Sequence, residues 1–136
     1  MIRRSFAAAA LVLAAPLLSP ATALAQASKD KPTPATAMEV NTYALMSLAT
    51  FCDARELKID FGKSLRVALA GQGRVIYGKH GGLIPGAKAP LPEKEFVNMA
   101  SFSIVGGALK VCPESVPAEE KERFEKAAAS LKPSKK

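Results

Sequence analysis

Cys52 and Cys112 are the only cysteines in the chain, and 59 residues lie between them. Neither belongs to a C-x-x-C pair, so a thioredoxin-type redox motif is absent. In an oxidising compartment, two cysteines without a third generally pair with each other. Closing a loop of about 60 residues removes roughly 4 kcal/mol of unfolded-state entropy on the chain-entropy model, comparable with the net stability of a small domain. A Cys52–Cys112 disulfide is therefore expected as a structural staple. The alternatives are two buried free thiols or a reactive thiolate, and the compartment decides among them.

The N-terminus addresses the compartment. Arg3 and Arg4 precede an apolar run from Phe6 to Leu18, and small residues follow in the A-x-A pattern at Ala23-Leu24-Ala25 and Ala25-Gln26-Ala27. Residues 1–27 thus have the layout of a cleaved secretory signal peptide. A run of thirteen apolar residues makes a helix of roughly 20 Å, too short for a hydrocarbon core of about 30 Å. No other uncharged apolar run reaches 18 residues. The mature chain is expected to be exported, periplasmic or extracellular, and not to be an integral membrane protein. Arg3-Arg4-Ser5-Phe6 also resembles a twin-arginine signal, but Ile2 and Ala7-Ala8 depart from that pattern, and the general secretory route is the expectation.

A chain of 136 residues holds one domain with one modest core. Residues 28–37 are polar and basic, with Pro32 and Pro34 denying them a continuous helix, and are expected to form a disordered leader. The single domain is expected over 38–132, followed by a basic tail at 133–136. In the first helix, Val40, Ala44, Ser47, Phe51 and Arg55 fall on one stripe that ends near Leu57. Asp60 offers an N-cap to a second helix, in which Phe61, Leu65, Ala68, Leu69, Gln72 and Ile76 share a face. Gly71 and Gly73 are expected to weaken or kink it, the alternative being a short strand over 74–77. The stretch Gly78 to Pro92 is expected to be a loop.

Pro92, Glu93 and Glu95 open a third helix, apolar around much of its circumference and so the candidate central element. Its Gly106-Gly107 pair either admits a close neighbour or marks a local weak point. Pro113 stops it, and Pro117 with Glu119 and Glu120 opens a fourth helix with a narrow apolar stripe of Phe124, Ala127 and Leu131. The fold class is all-α, a bundle of about four helices stapled by one disulfide.

The order of a helix with Cys52, then Phe61-Gly62-x-x-Leu65, then Phe96-Val97, Ala100 and Ala108-x-x-Val111 closing on Cys112-Pro113 resembles a group of uncharacterised proteins. These are the small exported two-cysteine helical domains of bacteria, whose function is unassigned, and the resemblance covers about residues 40–113. It implies the same stapled helical domain. A fainter likeness is to the periplasmic acid-stress chaperones of the HdeA type, which are short, helical and two-cysteine and end in a basic helix.

Motifs of small-molecule chemistry are missing. Gly73 to Gly78-Lys79-His80 falls one residue short of a P-loop, because His80 stands where a hydroxyl would hold magnesium. Gly71-x-Gly73 would need a third glycine at Ile76 to bind a dinucleotide. A lone histidine, His80, cannot fill a multi-histidine zinc sphere. No metal or cofactor is expected. The acids at 93, 95, 119, 120 and 122 sit at helix starts, where they complement the dipole. No acid–base pair can be nominated, and an enzyme would require His80, expected to face solvent in the loop, to face a carboxylate or thiol within a pocket.

A charge asymmetry remains in a chain of formal net charge +7. No acid occurs from Phe61 to Pro92, a stretch that carries Lys63, Arg66, Arg74, Lys79, His80 and Lys88. These residues, with glycine-exposed amides nearby, are the candidate anion site, for a phosphate, an acidic glycan, an anionic lipid head group or an acidic protein. The alternative is a solvated face. Nucleic acid is disfavoured, since only Phe61 and Tyr77 are available for stacking. The expectation is thus a binding or structural module with an anionic partner, with a stress-responsive chaperone as the alternative.

Overall fold

Each helix boundary is written in a local backbone interaction. A computed structural model describes residues 31–131 of the chain; the expected signal peptide (1–27) and basic tail (133–136) lie outside the described residues. Helix α1 spans Ala37–Glu56. Thr36 caps it, its hydroxyl accepting from the Glu39 amide at 3.2 Å while the Glu39 carboxylate accepts from the Thr36 amide at 2.9 Å. This reciprocal box satisfies two donors that a helix start otherwise leaves open. Lys58 then takes a left-handed conformation (φ 63°) and turns the chain.

Helix α2 spans Phe61–His80, and the Asp60 carboxylate caps it by accepting from the Lys63 amide at 3.1 Å. Gly81 and Gly82 end it in left-handed conformations (φ 59° and 77°), their amides donating back to Tyr77 and Ile76. The loop 81–92 leads to α3 (Glu93–Val111), a 3-10 turn at Pro113–Ser115, and α4 (Ala118–Leu131). Among the described residues there is no strand, and the fold is an all-α bundle.

Two points about α2 are settled by its extent, the strand alternative and the start of the loop. The helix is assigned without interruption through Gly71 and Gly73, with no strand at 74–77, and it absorbs Gly78–His80 from the expected loop. Gly73 is used for packing, since a Cβ there would sit 3.3 Å from the ring of Phe96 on α3. The cost of glycine in a helix is about 1 kcal/mol, small against the burial of an aromatic ring.

The disulfide joins Cys52 of α1 to Cys112 at the end of α3. Around it lies one core cluster with Phe51, Ala68, Ile104, Ala108 and Val116 at its centre. A second cluster, of Ala35, Ile76, Phe96 and Ala100, fills the other end. The glycine pair of α3 seats two neighbours at once: a Cβ at Gly106 would fall 2.8 Å from the Phe124 ring of α4, and one at Gly107 would fall 2.8 Å from Leu48 of α1. Phe124 also stacks on Phe102 at 4.6 Å between centroids. It is the main anchor of α4, in which no residue is fully buried.

Residues 31–36 of the expected disordered leader are placed against the bundle, which corrects that reading for this part of it. Ala35 is buried, and its amide donates to Leu83 of the loop at 2.9 Å. Pro32 lies over Gly81, where a Cβ would come within 2.8 Å of it. Two prolines do forbid a helix here, but an extended segment needs only edge contacts to be held.

Candidate functional site

Five of the six basic candidates lie on α2, divided between two of its sides, and the sixth, Lys88, lies on the loop that follows. His80, expected to face solvent, is buried at 2% exposure. It is the last residue of α2, and its ring is wedged between the leader and α1. Its Nδ1 lies 2.9 Å from the Thr33 carbonyl oxygen and its Nε2 3.1 Å from the Tyr43 hydroxyl. A carbonyl only accepts, so Nδ1 donates to Thr33, and Nε2 shares a hydrogen bond with the Tyr43 hydroxyl. Lys79 donates in turn to the Tyr43 oxygen at 3.3 Å and to Glu39 at 2.7 Å. A polar chain therefore runs from Glu39 and Lys79 through Tyr43 and His80 to the backbone of Thr33.

This chain removes Lys79 and His80 from the pool of free cations. Lys79, then the Thr36 amide and hydroxyl, hold the Glu39 carboxyl down from 4.5 to about 2, and Glu39 raises the Lys79 ammonium in return. His80 does face a carboxylate, with Glu39 Oε1 at 3.9 Å, but it borders none of the grooves described below. The partners Glu39, Tyr43 and Thr33 were not legible as a cluster in the sequence, because Glu39 and Lys79 are 40 residues apart and meet only when α1 lies along α2.

Lys63, Arg66 and Arg74 occupy the other side. They recur at i, i+3 and i+11, a spacing that keeps them on one helical face, and all three are exposed. Among the described residues, none has an ion-pair partner. Lys88 stands exposed on the loop 81–92.

Beside this face runs an apolar groove between α2 and α3. Its upper part, of about 730 Å³, is lined by Leu69, Gly73, Tyr77, Phe96 and Val97, with Arg66, Arg74 and Glu93 at its border. Its lower part, of about 590 Å³, is lined by Phe61, Phe102, Val105, Phe124 and Leu131, with Glu120 and Arg123 at its border. Leu65 and Ser101 line both parts. The Tyr77 hydroxyl donates to the Leu91 carbonyl at 2.8 Å. Burial, with lesser contributions from Glu93 and Glu95, raises its phenol above the ordinary value. Tyr77 is therefore a neutral wall of the groove rather than an acid.

The groove, both cysteines and α4 all fall inside one family match: the model of a domain of unknown function (DUF8650) covers residues 38–136. The chain belongs to the DUF8650 family. No curated protein and no solved structure matches it. The DUF8650 match reaches beyond the stretch 40–113 of the sequence resemblance and takes in the fourth helix. It starts after the Thr36 cap, so the segment 31–36 that covers His80 lies outside it. Among the described residues of this DUF8650 chain, no three His, Cys, Asp or Glu side chains converge to hold a metal ion. Nor is any helix there long and apolar enough to cross a membrane.

Proposed function

We propose that the protein is an exported, disulfide-stapled helical binding module that takes an anionic partner on the outward face of α2. The observation that carries this reading is the row Lys63, Arg66 and Arg74, exposed and without ion-pair partners among the described residues, of which Arg66 and Arg74 line an apolar groove. Positive charge beside a low-dielectric wall attracts anions more strongly than charge surrounded by water. The glycine-rich loop gives way to this face as the contact surface, since Lys79 is engaged by Glu39 and His80 is buried. Export is supported by the layout of residues 1–27 and by the disulfide, which persists in oxidising compartments.

The test is retention on an immobilised sulfated polysaccharide. The triple variant Lys63→Glu, Arg66→Glu and Arg74→Glu is expected to lose retention at low salt. A control of equal charge change, Lys58→Glu, Lys88→Glu and Lys110→Glu, is expected to keep most of it. Equal loss in both would mean that net charge alone governs binding, and the site would be wrong.

The acid-stress chaperone reading stands second, favoured by Glu39. Its carboxylate holds both the α1 cap and the Lys79 contact, so protonation in strong acid releases two restraints at once. A protein that stays fully native at pH 2 and leaves a client's aggregation unchanged would end that reading.

A further inference from the structure

We infer that the cavity where α1, α2, α3 and the loop 81–92 meet is a binding site for a small aromatic molecule carrying a single N–H or O–H donor, held by the side-chain oxygen of Gln72. The inference is independent of the anion reading, because no charged residue lines this cavity. The buried ridge of α2 runs Ser64, Ala68, Gln72, Ile76 and His80. Its other polar members are satisfied: the Ser64 hydroxyl donates to the Asp60 carbonyl at 2.9 Å, and both ring nitrogens of His80 are engaged. Gln72 is 7% exposed, and its Oε1 is the one buried side-chain polar atom among the described residues with no hydrogen-bond partner. A buried acceptor left unpaired is unfavourable, whereas leucine would fill the same place without that cost. An acceptor held in this state is available to a donor from outside the chain.

The cavity that Gln72 lines supplies the room. It measures about 230 Å³, and Val40 of α1 and Ile84 of the loop stand in its walls. Gln72, Ile76, Phe96 and Ala100 are buried and form its floor, while Met99 and Ser103 are exposed and mark its mouth. An apolar cavity of about 150 Å³ already takes a benzene ring, so this one has room for one or two fused rings. Its only polar side chains are Gln72 on the floor and Ser103 at the mouth, and a lone water held at Gln72 would lack most of the two to four partners that keep one buried. An ion finds no counter-charge here, and a purely apolar guest would leave Oε1 unpaired. Flat apolar surface with one donor meets both properties of the site.

The test is titration of the purified protein, disulfide intact, with three probes of one shape, followed by NMR of the methyl groups. Indole donates one hydrogen bond, benzofuran offers only an acceptor, and indene offers neither. Indole is expected to bind about three- to tenfold more tightly than either isostere, the worth of one hydrogen bond. In Gln72→Leu this preference is expected to vanish, with indene binding retained and the fold at least as stable as the wild type. Gln72 also borders a smaller cleft, of about 150 Å³, between α1 and α2. Shift changes are therefore expected at Ile76, Ile84 and Met99, and not at Val67 and Val75 of that cleft. Should Gln72→Leu fail to fold, the ranking of the probes and the map of shifts in the wild type decide alone. Binding of none of the probes at millimolar concentration would mean that solvent serves Gln72, and the inference is then wrong. Equal affinity of the three, a preference that survives in Gln72→Leu, or changes centred on Val67 and Val75 would overturn it as well.

Discussion

Replacing both cysteines by alanine measures how much of the fold depends on a covalent constraint. The bridge closes a segment with a sequence separation of 60, so its removal returns about 4 kcal/mol of entropy to the unfolded chain on the chain-entropy model. Loss of sulfur contacts adds to this, because Cys112 is buried in the cluster of Phe51 and Ile104. For a domain of this size a loss of about 4 kcal/mol corresponds to a fall in Tm of roughly 15–30 °C. Urea unfolding followed by far-UV circular dichroism is the assay, with the wild type under oxidising conditions as reference. Two readouts should move together. The midpoint falls, and the slope of free energy against urea rises, because an uncrosslinked chain exposes more surface when it unfolds. A variant with unchanged midpoint and slope would show that the helices hold one another without the bridge, and the energetic argument would be refuted.

Three further outcomes follow from the packing and the charges. Gly71 and Gly78 lie inside α2, and a Cβ at either would meet no heavy atom within 4 Å, so Gly71→Ala with Gly78→Ala should stabilise the protein by about 1–2 kcal/mol in thermal or urea unfolding. No gain would mean that α2 is not a continuous helix there. Gly106→Ala should displace the Phe124 ring, costing about 1–3 kcal/mol of overpacking less about 1 kcal/mol of helix propensity. Hydrogen exchange should speed in α4 and stay slow in α1, and uniform exchange across both would contradict the seating of Phe124. The Glu39 carboxyl sits at about 2 when folded, against 4.5 in its ordinary state. A depressed pKa gives stability that is complete above the ordinary value and is lost as pH falls from about 4.5 through about 2. An NMR titration should place Glu39 near the lower figure, and a midpoint near 4.5 would remove its partners from the account.

The boundaries of this fold were legible because their causes are local. Asp60, the Pro92–Glu95 start, Pro113 and Pro117 act on backbone groups a few residues away, and each stands where the sequence puts it. The two cysteines were legible by count. What escaped was everything decided between distant segments. His80 looks solvent-facing in a run of Lys and Gly, yet α2 runs on through His80 itself, just far enough to place its ring against Thr33. Gly73 looks like a weak point until Phe96 lies against it. The basic stretch reads as one patch in one dimension, but helical periodicity divides it, and Glu39 neutralises one part from another helix. The groove gave no linear signal, since its walls come from three helices.

The cross-link makes a closed ring of covalent chain from Cys52 to Cys112 that contains α2, the loop and all of α3. The final helix is a pendant outside that ring, attached by one strand of backbone and one aromatic plug. Lifting it breaks no cross-link and unstacks Phe124 from Phe102, so the walls that α2 and α3 supply lie inside the ring and the wall that α4 supplies lies outside it.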